Sequence, residues 1–100
     1  MNRALNMLGL CARAGKLVSG SQGVESALKS GKAELVLVDG DASALSKKQL
    51  SDACAFRGVP IAEIQKQALG LSIGKPGRMM AAVTDESFAE RICQLLKENG

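Results

Sequence analysis

Two carboxylates two residues apart, Asp39 and Asp41, close the apolar run Leu35-Val36-Leu37-Val38 in the segment Asp39-Gly40-Asp41-Ala42-Ser43. An acid pair behind a buried strand suits magnesium-dependent phosphoryl transfer, with one carboxylate as nucleophile and both as metal ligands. That chemistry also needs further acidic and lysine elements, and most of the 57 residues after Ser43 are committed to the helices and strands described below. The plainer reading is a solvated turn whose carboxylates are favoured near a helix N-terminus. Gly70-Leu71-Ser72-Ile73-Gly74-Lys75-Pro76 superficially has the look of a phosphate loop. Its glycine spacing is one residue short, Pro76 stands where a hydroxyl must meet magnesium, and a strand follows instead of a helix. Gly20-Ser21-Gln22-Gly23 is a bare GxxG, a backbone clamp only where a helix precedes it, and here a short strand does.

What survives is a pair of glycine-bearing segments close to basic residues. Lys16 to Gln22 opens a helix, where unpaired N–H groups and the helix dipole favour an anion. Ser72 to Met80 sets Lys75 and Arg78 among Gly74, Pro76 and Gly77. A phosphate backbone suits both segments, and plain connectors would read the same way.

Composition narrows the choice. Among 100 residues there is no His, no Trp and no Tyr, and the two aromatics are Phe56 and Phe88. Histidine triads, histidine metal sites and histidine acid–base chemistry are excluded, and no aromatic stacking platform for single-stranded nucleic acid is expected. Cys11, Cys54 and Cys93 are odd in number, far apart and set in apolar helical stretches, so they read as reduced core residues rather than a disulfide framework or zinc knuckle. No cofactor or metal is called for. A composition 46% hydrophobic and 23% charged leads us to expect one compact domain over residues 1–100, with no membrane span or secretory leader and a cytoplasmic location. The net charge of +3 is uneven: residues 1–32 and 47–78 are each +4, whereas residues 33–46 are −3 and residues 79–100 are −2. Two basic stretches parted by an acidic one suggest a basic face.

The elements that must position these residues follow from periodicity. A first helix covers 2–14, with Ala4, Leu5, Leu8, Cys11 and Ala12 on one stripe, and Gly15 ends it. Leu17-Val18 is a short strand, and Ser19 to Gln22 enters a second helix whose buried face is Val24, Ala27, Leu28 and Gly31, with Gly31 also its stop. Residues 35–38 form a strand covered on both faces. Ser46 to Gln49 has capping-box spacing and starts a helix burying Leu50, Ala53, Cys54 and the Arg57 stem. A strand at 59–62, a short helix at 65–71, a loop from Ser72 to Gly77 and a strand at 79–83 come next. Thr84 or Asp85 caps a final helix burying Phe88, Ile92, Leu95 and Leu96. Alternating helices and strands make an α/β domain with three layers.

LGLCARAGKLVSG (8–20), SGKAELVLVDGDAS (30–43), SKKQL (46–50), GVPI (58–61), LGLSIGKPGRMMAAVTD (69–85) and FAERI (88–92) are collinear over nearly the whole chain. Together they resemble the bacterial kink-turn RNA-binding ribosomal proteins of the YlxQ-like group, relatives of the L-seven-Ae and L-thirty ribosomal proteins. The resemblance implies an α-β-α sandwich around a four-stranded mixed sheet and a non-enzymatic, ribonucleoprotein role. The expected partners are a kink-turn-like RNA, ribosomal RNA among the candidates, and ribosomal or translation-related proteins. It also implies that the helix after Gly20 presents Ser21, Gln22 and Ser26 to the RNA. The loop holding Ile73, Gly74, Lys75 and Arg78 would pack against an extruded nucleotide, with Lys16, Lys75 and Arg78 on phosphates. The family's Asn-Glu pair and the lysine one turn later are Gln22, Gly23 and Ser26 here. Gln22 keeps donor and acceptor groups for a base edge, and it also matches a capping box with Ser19. The degenerate pair leaves a protein-interaction or ribosome-assembly module as the alternative.

Overall fold

The computed structural model describes residues 2–99. Its elements are α1 (Arg3–Arg13), β1 (Leu17–Ser19), α2 (Ser21–Lys29), β2 (Leu35–Asp39), α3 (Ala44–Arg57), β3 (Ile61–Ile64), α4 (Ala68–Ser72), β4 (Met80–Val83) and α5 (Glu86–Asn99). The four strands form one mixed sheet in the order β1-β4-β2-β3. β4 runs antiparallel to β1 and β2, while β2 and β3 are parallel. Among the described residues, no helix is long and apolar enough to cross a membrane.

Side-chain alternation along β2 builds the three layers. Leu35 and Leu37 join Leu8, Cys11, Leu69 and Ile92 in one core, under α1, α4 and α5. Val36 and Val38 point the other way, to Val24, Leu28, Leu50 and Cys54 of α2 and α3. All five residues of β2 are buried, as a strand covered on both faces must be.

Local signals set most boundaries. The Asn2 side chain accepts the N–H groups of Ala4 and Leu5, which starts α1, and Asp85 rather than Thr84 accepts the Phe88 N–H at 2.9 Å to start α5. Other boundaries depart from the sequence reading. α3 begins at Ala44, because Ser43 and not Ser46 is the cap: its Oγ accepts the Ser46 N–H at 3.1 Å. With only Leu50 and Cys54 buried, α3 rests on a narrow contact, and Ala53 and Arg57 are exposed instead of buried. The short helix starts at Ala68, three residues later than expected, since Gln67 takes a left-handed φ of 67° to enter it.

The cause of that turn is Asp39. Its carboxylate is fully buried, and it accepts N–H bonds from Asp41 (2.8 Å), Gln67 (2.8 Å) and Leu69 (3.1 Å). Burial by itself would raise its pKa, but the three N–H donors and the Lys47 charge outweigh burial and hold the carboxyl below its ordinary 3.8. The acid of the Asp39–Asp41 pair is thus engaged with backbone, Asp41 is exposed, and among the described residues no group of three His, Cys, Asp or Glu could hold a metal ion.

Two outcomes follow from these buried groups. Asp39→Asn places an amide against backbone donors and lowers stability by about 3 kcal/mol at pH 7, read as the urea midpoint. Because the folded pKa lies below the unfolded one, Asp39 contributes fully above pH 3.8 and loses its contribution as pH falls through the folded value. The difference between wild type and variant therefore narrows in acid, and a constant difference would remove Asp39 from this role. Burial, with the Asp85 charge adding to it, pushes the Cys11 thiol up to about 11, and its Sγ donates to the Lys16 carbonyl at 3.3 Å. Cys11 should stay unalkylated by iodoacetamide at pH 8 in the folded protein and react once it is unfolded, as peptide mass spectrometry would show.

Candidate nucleic-acid interface

The two glycine-bearing segments meet at one end of the sheet. β1 leads into α2 through Gly20, whose N–H donates to the Met80 carbonyl at 3.0 Å. Gly20 has φ 86° and ψ 162°, a backbone region essentially reserved for glycine, and it gives α2 no side-chain cap. The first-turn N–H groups of α2 are left to an outside acceptor. Arg78 lies across this junction and donates from Nη1 to the Ser19 carbonyl at 3.2 Å. A Cβ on Gly20 would collide with that guanidinium.

The loop that carries Arg78 folds back on α4. Lys75 N–H donates to Gly70 O at 2.8 Å, and Arg78 N–H to Lys75 O at 3.2 Å. A Cβ at Gly70 would stand 2.6 Å from Lys75 O and 2.9 Å from Gly77 N, so only glycine admits the loop there. Between loop and strand lies an open groove of about 470 Å³, lined by Ala12, Arg13, Leu17, Val18, Ser19, Gly23, Ile73, Lys75 and Arg78. None of these is acidic, and the three cations are exposed. Phosphate oxygens in such a groove could accept hydrogen bonds from its guanidinium and ammonium groups, beside the apolar contact of Ile73.

The predicted residues divide into four groups. Ile73, Lys75 and Arg78 line the groove, with exposed Gly74 in the same loop and Gly20 beneath the Arg78 guanidinium, whereas Ser21 lines a separate pocket between α2 and α3 with Glu25 and Gln49. Gln22 and Ser26 lie on the exposed outer face of α2, in a shallow depression with Glu25, Lys29 and Ser30. Gln22 takes no part in capping, so the box expected with Ser19 does not form. Lys16 stands at the far end of β1, where its carbonyl accepts the Thr84 N–H at 2.9 Å, and does not line the groove. Arg13, which the sequence reading passed over, lines it instead. The available signal was helix phase: Gly9, one turn earlier, lies against the Ser72 carbonyl where α1 meets α4, so Arg13 faces the same side. Gly23, in a position the resemblance gives to an RNA contact, packs its Cα side on Val18.

A three-layer sandwich with a glycine-opened helix beside a glycine-rich basic loop defines a class, and comparison identifies it. The chain belongs to the ribosomal protein L7Ae/L30e/S12e/Gadd45 family, whose model matches residues 3–93. Within that family it is 42% identical over 91 residues to the RNA-binding protein YlxQ of Bacillus subtilis (strain 168), covering 90% of this chain and 91% of that protein. It is 34% identical over 96 residues to the RNA-binding protein YlxQ of Enterococcus faecium, covering 95% and 92%. A solved Bacillus halodurans C protein superposes with a TM-score of 0.92 at 34% identity, over 97% of this chain and 99% of that one. The Giardia lamblia 15.5kD RNA binding protein shares the fold, with a TM-score of 0.78 at 24% identity over 94% and 82%.

Gly20→Ala tests the junction. Forcing a Cβ into this conformation costs about 1–3 kcal/mol, a fall in Tm of roughly 5–15 °C for a domain this size, and displaces Arg78 from Ser19. An unchanged melting curve would show that the junction tolerates a side chain.

Proposed function

We propose that this protein is a non-enzymatic RNA-binding protein that recognises a kink-turn or a related bent RNA, and that residues 1–100 act as one such domain in the cytoplasm, associated with the ribosome or translation. The observation that carries the reading is the convergence of an uncapped helix N-terminus and a basic glycine loop in one groove without a carboxylate. The names of the two YlxQ relatives, both RNA-binding proteins, support the same reading. A bent RNA gathers phosphates into a small volume, so Arg13, Lys75 and Arg78 can stabilise it without a large net charge. Lys16, at the far end of β1, would reach only an RNA that continues past that edge. Gln22, with Ser21 and Ser26 beside it, offers amide and hydroxyl groups to base edges.

A second reading, a ribosome-assembly or protein-interaction module with a degenerate RNA face, rests on Gly23 and Ser26. Gly23 packs on Val18 and Ser26 carries no charge, so neither supplies what the family's signature places there. A gel-shift titration separates the two, using a kink-turn RNA and a matched RNA lacking its tandem G·A pairs. The expected result is preference for the intact kink-turn. Lys75→Ala with Arg78→Ala should weaken binding and reduce the salt slope by about 2. Equal affinity for both RNAs would favour the interaction module, and an unchanged salt slope would exclude the loop as a phosphate contact.

A further inference from the structure

The sheet end opposite the groove carries a second cluster that the proposed RNA contact does not use. There β2 begins and β4 ends, and the last turns of α2 and α3 come together. Phe56 is 84% exposed, the most exposed of the large apolar side chains among the described residues. Burial therefore does not account for the ring, whereas Phe88, the other aromatic, packs against the core. The Arg57 guanidinium lies 5.8 Å from the Phe56 ring centroid, and its Nη1 donates to the Lys29 carbonyl at 3.4 Å, tying the ends of the two helices together. Lys29 lines a groove with Phe56 and Arg57, in which Glu34 is the acid, and exposed Lys32 stands in the chain between two further lining residues, Gly31 and Ala33. Lys29 and Arg57 also suit the carbonyl ends of their helices. That account leaves the open aromatic ring and Lys32 unexplained.

We propose that this cluster is a second RNA contact, which takes an unpaired segment with one nucleobase stacked on Phe56 and adjacent phosphates held by Lys29, Lys32 and Arg57. An aromatic face is tolerant of base identity, and cations around it supply the attraction to the backbone. Two phenylalanines cannot supply a row of stacking rings, but a single ring beside cations is enough for one base. The site stands apart from Lys75 and Arg78, at the other end of β4, so its ligand contacts do not depend on the groove.

The chain has no Trp or Tyr, so Phe56→Trp installs a lone fluorophore at an exposed position. Titration with a ten-nucleotide oligouridylate should quench its emission saturably, and equally in a background carrying Lys75→Ala and Arg78→Ala. By anisotropy of labelled oligouridylate in that same background, Phe56→Ala should weaken binding about tenfold, within the range for one base stacked on one ring. Lys29→Ala with Lys32→Ala should reduce the salt slope by about 1.4, the single-strand value for two lost cations. Absence of saturable quenching overturns the proposal, as does quenching that disappears with Lys75 and Arg78, which would assign the ligand to the groove. Equal quenching by poly-glutamate would also overturn it, in favour of an acidic protein partner.

Discussion

The carboxylate of Asp39 holds together parts of the chain that local sequence would leave separate. It sits at the end of β2, fully buried, and binds the N–H groups of Asp41, Gln67 and Leu69. A buried charge without partners would cost several kcal/mol. Three donors replace water around it, and in doing so they fix where the chain after β3 turns back. Gln67 takes its left-handed conformation there, α4 starts one residue later, and Gly70 then supports the loop that ends in Arg78. The position of the basic groove therefore traces back to a residue that belongs to none of its walls. The same acid, two residues from Asp41 in the sequence, has the spacing of a nucleophile in an acid pair. Its three N–H bonds give it a structural task that sequence spacing alone does not reveal.

Much of the architecture was legible because its signals are local. The apolar run at 35–38 marked the doubly covered strand, the stripe from Ala4 to Cys11 marked α1, and Gly31 closed α2. What stayed hidden depended on a local ambiguity in one case and on contacts distant in sequence in the others. The start of α3 turned on which of two serines is the cap, a choice that spacing leaves open. The start of α4 turned on a carboxylate 28 residues away from Gln67. At the candidate site, Lys75 and Arg78 stand out by composition, since glycines and cations cluster in their loop, whereas Ile73 comes only from the family resemblance. Lys16 looked equivalent to them only because it is near Gly20 in sequence; a strand separates the two, and each residue of an extended strand adds about 3.3 Å. Arg13 was missed because its proximity arises from helix packing, through the close approach of Gly9 to Ser72.

The site is made largely of backbone and cations, with few side chains that could specify a sequence. Gly20 and Gly70 are needed because something passes over them, a guanidinium in one case and a loop backbone in the other. A surface of this kind selects shape and charge density before it selects bases. The net charge of +3 is mild, and the bent RNA proposed above would bring its own concentration of phosphate. Phe56 changes the picture drawn from composition in one respect: scarcity of aromatics governs how many bases can stack, while exposure governs whether any can.

The strand order has a consequence for how the molecule comes into being. β4 is the last strand in sequence yet lies inside the sheet, between β1 and β2. Neither of those strands has its antiparallel neighbour until residues 80–83 exist, so a chain emerging from synthesis can form β2–β3 pairing but not the sheet. Such non-local pairing comes late in folding, after a long loop has closed. The junction at Gly20 and the loop at Arg78 are joined through the same strand, by the bond from Gly20 to Met80. An incomplete chain therefore lacks the groove, which is complete only when β4 has joined β1 and β2.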